Sequence, residues 1–309
     1  MRRLLPVLLL AATLAATLAV PAPASAQVSD LALAQRWAPV HYQDTDSSDY
    51  DADYLSAVDY DGNWAGLDNW ENEPTHPLLA TVSYSVVETS THWFIVYAFF
   101  HPRDWCDNVF CESHENDMEG LLLSIRRDGS TYGAFEGMVT VAHSDFFSFT
   151  PAGSPYTNGR ESIDGPVIMQ SYGGQSRPTT RQEAKGHGLK AWDGANFPGG
   201  DGVVYFPSGT AEIPSGGNDR SVGYKLVDIF ATGGLWSRRN NAETFASVGT
   251  FRGDNGKANA ANAPWGWDDH DDGSDLQRGL LATDPAKLVA AYFDGEGTFG
   301  LAYTRNGYR

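Results

Sequence analysis

Only two cysteines occur in 309 residues, which leaves little material for a thiol-based metal centre. Positive charge is scarce too: 21 Lys and Arg stand against 39 Asp and Glu, for a formal charge of −18. A surface this acidic repels phosphate backbones and excludes nucleic acid as a partner. Beyond the N-terminal segment no long apolar run occurs. The strongest, Trp93 to Phe100, is strand-sized and far short of the roughly 20 residues of a membrane helix. No internal repeat is visible, and no low-complexity linker divides the chain. Apolar residues, by contrast, are plentiful: 41% hydrophobic with 12% aromatic rules out disorder. Abundant Gly and Pro beside many Trp and Tyr point to short strands joined by turns.

The N-terminus reads as an export signal. Arg2 and Arg3 precede an apolar run from Leu4 to Val20, and Ala24-Ser25-Ala26 forms a small-residue cleavage site. The expectation is a signal peptide over residues 1–26 and a secreted, extracellular single domain over 27–309. In that oxidising setting Cys106 and Cys111 read as a disulfide. A loop so short braces locally and adds little to global stability.

Strand signals recur at short spacing. They include Thr81 to Val86, His92 to Phe100, Leu121 to Ile125 and, after an Arg127-Asp128-Gly129-Ser130 turn, a return strand near Ala134 to Ala142. Later candidates are Val167 to Met169, Val203 to Phe206, Tyr224 to Phe230 and Gly300 to Tyr303. Helices are few. One spans Asp30 to Trp37 with Ser29 or Asp30 as cap, and one runs from Ala286 to Phe293 after Pro285. This series predicts a mainly β chain, a single jelly-roll-like β-sandwich with long loops and a few short helices.

The most informative stretch runs from His101-Pro102-Arg103-Asp104 through the two cysteines to His114-Glu115-Asn116-Asp117-Met118-Glu119. If Asp117 opens the strand that continues into Leu121, then Asp117 and Glu119 share a face. His114 differs in parity and converges from the preceding loop, while Asp104 ends the previous strand near the same rim. Three carboxylates and an imidazole held together repel unless paired. A divalent cation relieves that repulsion, and an oxygen-rich set favours Mg²⁺, Ca²⁺ or Mn²⁺ over structural zinc. A solvated acidic rim is the plainer alternative.

Asp104 and the His114/Asp117/Glu119 pattern resemble the necrosis- and ethylene-inducing-peptide-like cytolysins and, at the strand start, their vacuolar-protein-sorting-associated relatives. That resemblance implies a secreted β-sandwich whose metal ligands are Asp104, His114, Asp117 and Glu119. It makes His143 and the Gly186-His187-Gly188 segment further landmarks, as nearby positions or extra ligands. It also implies recognition of a carbohydrate or glycolipid head group, with peripheral membrane contact. The pattern departs from the cytolysin heptapeptide Gly-His-Arg-His-Asp-Trp-Glu at Ser113, Asn116 and Met118, and the spacing from Asp104 to His114 is longer. The likeness covers roughly residues 93–125, more loosely to 206, and none of the last hundred.

Two other readings compete. Glu115-x-Asp117-x-Glu119 resembles the strand of laminarinase-type glycoside hydrolases, which implies a polysaccharide hydrolase with Glu115 as nucleophile, Asp117 assisting and Glu119 as acid/base. That reading gives His114 and Asp104 no part, so whether the chain is an enzyme stays open. The acidic turn Trp267 to Gly273 suggests Ca²⁺, yet it fails the EF-hand spacing and reads as a solvated loop. Trp64, Trp70, Trp192, Trp236, Trp265 and Trp267 suit either sugar stacking or packing. His143-Ser144-Asp145 lacks a nucleophile elbow, so a serine hydrolase is set aside.

Overall fold

A computed structural model describes residues 28–107, 112–295 and 297–309. The signal-peptide reading and Cys111 therefore lie outside the described residues. Eleven strands form the main path of one mixed sheet: β1 (Val40–Asp44), β2 (Thr81–Thr89), β3 (His92–Asp104), β4 (His114–Arg126), β5 (Ala134–Ala142), β6 (Asp145–Pro151), β7 (Gly165–Val167), β8 (Gln175–Gln182), β9 (Leu189–Ala191), β10 (Gly202–Ser208) and β11 (Val222–Asp228). Their spatial order is β9-β8-β1-β10-β11-β2-β3-β4-β5-β6-β7, with Met169–Tyr172 added beside β8 and Tyr303–Arg305 beside β2.

The mainly β expectation holds, but the jelly-roll sandwich does not describe this arrangement. Four neighbouring pairs run parallel: β1 with β8, β10 with β11, β11 with β2, and β6 with β7. The sheet curls until β9 packs against β5, so it nearly closes on itself. The physical reason lies in β3. Trp93, Ile95, Tyr97 and Phe99 enter one core, and Phe94, Val96, Ala98 and Phe100 enter another. A strand buried on both faces is central, not one layer of a half-wetted sandwich. The antiparallel register of β3 on β4 carries this pattern across, so Leu121, Leu123 and Ile125 join the first core and Met118 and Leu122 the second.

The two cores have different covers. The first lies inside the curl and is plugged by α1 (Asp30–Trp37), whose Ser29 Oγ accepts the Ala32 N–H at 3.2 Å. The second lies outside the curl, beneath the C-terminal loops and α2 (Pro285–Tyr292). Trp265 and Trp267 belong to it, so both are packing residues. Gly120 makes this close fit feasible: a Cβ there would stand 2.3 Å from the Trp267 ring. Trp267 Nε1 donates to the Met118 carbonyl at 2.7 Å, which fastens the loop to β4.

Candidate functional site

The apolar filling of the inner core stops at one end of the curl. Along the face that carries Phe99 and Leu121, the next positions are His101, Asp117 and Glu119, all buried. Asp117 and Glu119 thus share a face, as their spacing predicted. His114 opens β4 instead of lying in the loop before it, and it pairs with Asp104 across the ladder. Its Nδ1 donates to the Asn116 carbonyl at 2.8 Å, which leaves Nε2 facing Asp104 Oδ2 at 3.4 Å. Asp104, His114, Asp117 and Glu119 line one cavity of about 350 Å³, with His143, Trp267 and Lys257 on its walls.

Electrostatics at this end are strained. Burial, reinforced by the charge on Asp117, raises the Glu119 carboxyl well above its ordinary range, although the His143 N–H donates to Oε1 at 2.9 Å. Glu119 Oε2 is buried with no hydrogen-bond partner. Burial raises Asp104 as well, against the pull of His114. Burial opposes charge on His114, but Asp104 and Asp117 override it and lift its pKa to about 9.

Behind the cavity, His187 bridges two carboxylates, with Nδ1 at 3.0 Å from Asp117 Oδ2 and Nε2 at 3.2 Å from Asp53 Oδ1. Neither carboxylate can donate when ionised, so both ring nitrogens carry hydrogen and the ring is an imidazolium. Burial opposes that charge, yet the two carboxylates raise its pKa to about 10. Asp117 in turn is lowered, His187 outweighing burial. The His101 ring stacks on His187 at 3.8 Å and stays neutral, pushed well below its ordinary value by burial and by the neighbouring charge.

The backbone is strained in the same place. Five non-glycine residues have positive φ among those described, and four of them border this site: Asn116 (59°), His143 (61°), Lys185 (71°) and His187 (53°). Such conformations persist only where surroundings enforce them. Asn116 is held by three side-chain bonds, donating to the carbonyls of Gly66 and Arg252 and accepting from Asn69. Gly188 leaves room behind His143, because a Cβ there would lie 2.8 Å from Glu183 Oε1 and 3.2 Å from His143 Nε2.

Other expected residues fall elsewhere or stay at the margin. Glu115 turns away from the cavity; its carboxylate accepts the N–H groups of Trp70 at 3.0 Å and Asp254 at 3.2 Å. The glycosidase reading makes Glu115 the nucleophile, whereas here its carboxylate is engaged by these two N–H groups and does not line the cavity. His143 sits at the rim, where an ion pair with Glu183 at 2.8 Å raises its pKa. No free cysteine occurs among the described residues, and with Cys111 outside them the Cys106–Cys111 bridge stays an expectation. Asp53 was missed by sequence reasoning: it is one of many acids in a loop, with no spacing to mark its reach to His187. Among the described residues, no group of three or more His, Cys, Asp or Glu is arranged to hold a metal ion. None of their helices is long and apolar enough to cross a membrane.

No protein-family profile matches the chain, and no curated protein sequence does. The solved structures found similar are of the necrosis- and ethylene-inducing type, the type that the His114–Glu119 segment resembles. One is necrosis and ethylene inducing protein 2 from the causal agent of cocoa's witches' broom disease. It has 14% identity and a TM-score of 0.37, with 71% of this chain and 84% of that one covered. Another is NLPPya in complex with glucosamine, at 16% identity and a TM-score of 0.40, with 89% and 94% covered. A third, the non-toxic HaNLP3 protein, has 12% identity and a TM-score of 0.30, with 65% and 76% covered.

Proposed function

We propose that this is a secreted protein that binds a hard divalent cation, Mg²⁺, Ca²⁺ or Mn²⁺, at the polar end of the curl and uses that site to recognise a carbohydrate or glycolipid head group at a membrane surface. One observation carries the reading: Asp104, His114, Asp117 and Glu119 converge on one cavity in which Glu119 Oε2 is buried without a donor. A buried carboxylate oxygen left unpaired is costly, and a cation is the partner this donor set suits. His114 suits the proposal, since its Nδ1 is tied to a carbonyl and Nε2 becomes the ligating nitrogen once it gives up the proton that Asp104 and Asp117 hold there. In the present arrangement the donors bond to one another, so taking up an ion exchanges the Asp104–His114 contact for shared ligation.

A hard cation there would supply a Lewis-acidic point for paired sugar hydroxyls. The protein's own part is positioning. His187, clamped by Asp53, fixes the Asp117 carboxylate, and the His143 N–H fixes Glu119. The rim offers Lys257, His143 and Glu112 as donors and acceptors for a polar ligand. Glu115 spends its carboxylate on the Trp70 and Asp254 N–H groups, which favours binding over two-carboxylate cleavage. A panel of glycans and glycolipids, screened with and without chelator, tests the reading. Retention of intact oligosaccharide only with the cation supports it; release of reducing ends, or binding indifferent to chelator, contradicts it.

A further inference from the structure

The Trp267–Gly273 turn, which read as a solvated loop, is fastened from below by buried acids. Tyr292, the fully buried last residue of α2, places its phenol oxygen 2.6 Å from Asp269 Oδ2 and 2.7 Å from Asp272 Oδ2. Both aspartates are buried, at 8% and 5% exposure. A phenol has one hydrogen and can donate to one carboxylate only. The second contact, at the same length, needs a hydrogen on the other carboxyl. Asp269 Oδ2 already accepts the Phe146 N–H at 3.0 Å, while Asp272 Oδ1 is buried with no partner. The hydrogen bonds therefore favour charge on Asp269 and a proton on Asp272.

Arg160 pulls on Asp272 as a charge, but burial outweighs it. Arg160, from the segment before β7, has its guanidinium engaged by the Asp275 carboxylate and the backbone carbonyl of Asp272. Lys287 of α2 donates to the Asp275 carbonyl. The remaining ionisable neighbours are acids: Asp271, hydrogen-bonded to Asp269 through its side chain, Glu161 beside Asp272, and Asp145 and Asp164 along the cavity of about 400 Å³ that Asp269 and Asp271 also line. His270 is exposed and is tied through its backbone N–H to the Ser144 carbonyl at 3.0 Å.

We propose that Asp269 and Asp272 share one proton across the Tyr292 hydroxyl, and that losing it as pH rises unfastens the Trp267–Gly273 loop from β6 and α2. In the fastened form the Asp272 carboxyl O–H donates to the phenol oxygen, and the phenol O–H donates to Asp269. Ionising both acids leaves one hydrogen between two like charges, and one contact breaks. Burial raises both acids, lifting Asp269 to about 6; a side-chain bond to Asp271 adds to the rise at Asp269, against which the Phe146 N–H and the Tyr292 contact set the charge there. The latch stands on its own geometry, whether or not the neighbouring cavity holds an ion. Because Trp267 and His270 line that cavity, the latch would govern its wall.

Hydrogen exchange of the loop amides, corrected for intrinsic rates and read by mass spectrometry on the full chain in chelator, tests the latch. Wild type should lose about tenfold in loop protection between about pH 5 and about pH 8. Asp272→Asn supplies permanent hydrogens at that position, so its loop protection should be flat across the range. Tyr292→Phe keeps the ring's shape and should be loose at both pH values. A flat wild-type profile, or a wild-type profile in Asp272→Asn, overturns the proposal. So does restored protection at high pH on adding Ca²⁺ to a Glu119→Gln background, since the pair would then be bridged by metal.

Discussion

The β3–β4 ladder is one continuous antiparallel pair with two contrasting halves. From Trp93 to Phe100 and from Leu121 to Ile125, side chains fill two apolar cores, one on each face. From His101 to Asp104 and from His114 to Glu119 the backbone pairing continues, but buried acids and imidazoles largely replace the hydrocarbon. Backbone hydrogen bonding is common to both halves, so it does not explain the change. Hydrophobic burial stabilises the first half. The second half carries raised carboxyls, an orphaned oxygen and positive φ angles, features that oppose folding unless something compensates them. The lesson is that the apolar end holds the polar one in place.

That contrast is open to direct attack, beginning with the apolar half. Phe99→Ala removes a fully buried ring one step from the site and should cost about 3–5 kcal/mol in urea unfolding. A loss below about 1 kcal/mol would mean that the core does not carry the ladder.

Next in size is Asp117→Leu, which leaves the His187 imidazolium with Asp53 alone. We expect a loss of about 3 kcal/mol near neutral pH, shrinking when Leu also replaces His187. If the double variant is no more stable than the single one, the clamp between the two residues is absent.

Glu119→Gln should act in the opposite sense. Replacing a carboxyl that burial makes costly to ionise, and whose oxygen lacks a donor, should stabilise the metal-free protein by about 1–2 kcal/mol at neutral pH. The sign follows from linkage. A carboxyl raised in the folded state favours folding at low pH, and this contribution is lost as pH rises from its ordinary 4.5 through its folded value. His187, raised to about 10, likewise contributes fully below its ordinary 6.5 and loses that contribution as pH climbs towards 10. Metal-free wild type should therefore lose stability steadily on the alkaline side, and Glu119→Gln should do so less steeply. Equal slopes would remove Glu119 as a source of strain.

The smallest expected effect concerns the loop that walls the cavity. Trp267→Phe removes the N–H that Nε1 shares between the carbonyls of Met118 at 2.7 Å and Asn262 at 3.0 Å while retaining most of the packing on Gly120. A loss of about 1 kcal/mol in thermal or urea unfolding would fit one shared neutral hydrogen-bond donor.

Much of the apolar half was legible in the sequence. The run from His92 to Phe100 announced a buried strand, and the Arg127-Asp128-Gly129-Ser130 turn announced the hairpin of Leu121 to Ile125 with Ala134 to Ala142. The curl was not legible, because local patterning fixes which residues are buried and not which strand lies beside which. At the polar end, parity placed Asp117 and Glu119 on one face, and the ladder brought Asp104 opposite His114. Asp53 reaches His187 over 134 positions, a distance that no local pattern encodes. Three acids at alternate positions look like one constellation in the sequence, but Glu115 parts from the other two, its carboxylate spent on the N–H groups of Trp70 and Asp254. The proton count at Tyr292 was equally out of reach, since it depends on two contacts made by one phenol.

The most direct test of the central claim is the melting temperature of chelator-treated protein titrated with Mg²⁺, Ca²⁺ and Mn²⁺. A ligand that binds only the native state raises stability by mass action, about 2.7 kcal/mol at one hundred times its Kd. At least one of these ions should raise the melting temperature of wild type, and Asp117→Asn and Glu119→Gln should each abolish the rise. A wild-type melting temperature indifferent to all three ions, or an undiminished rise in both variants, would contradict the claim that these carboxylates are kept buried to hold a cation.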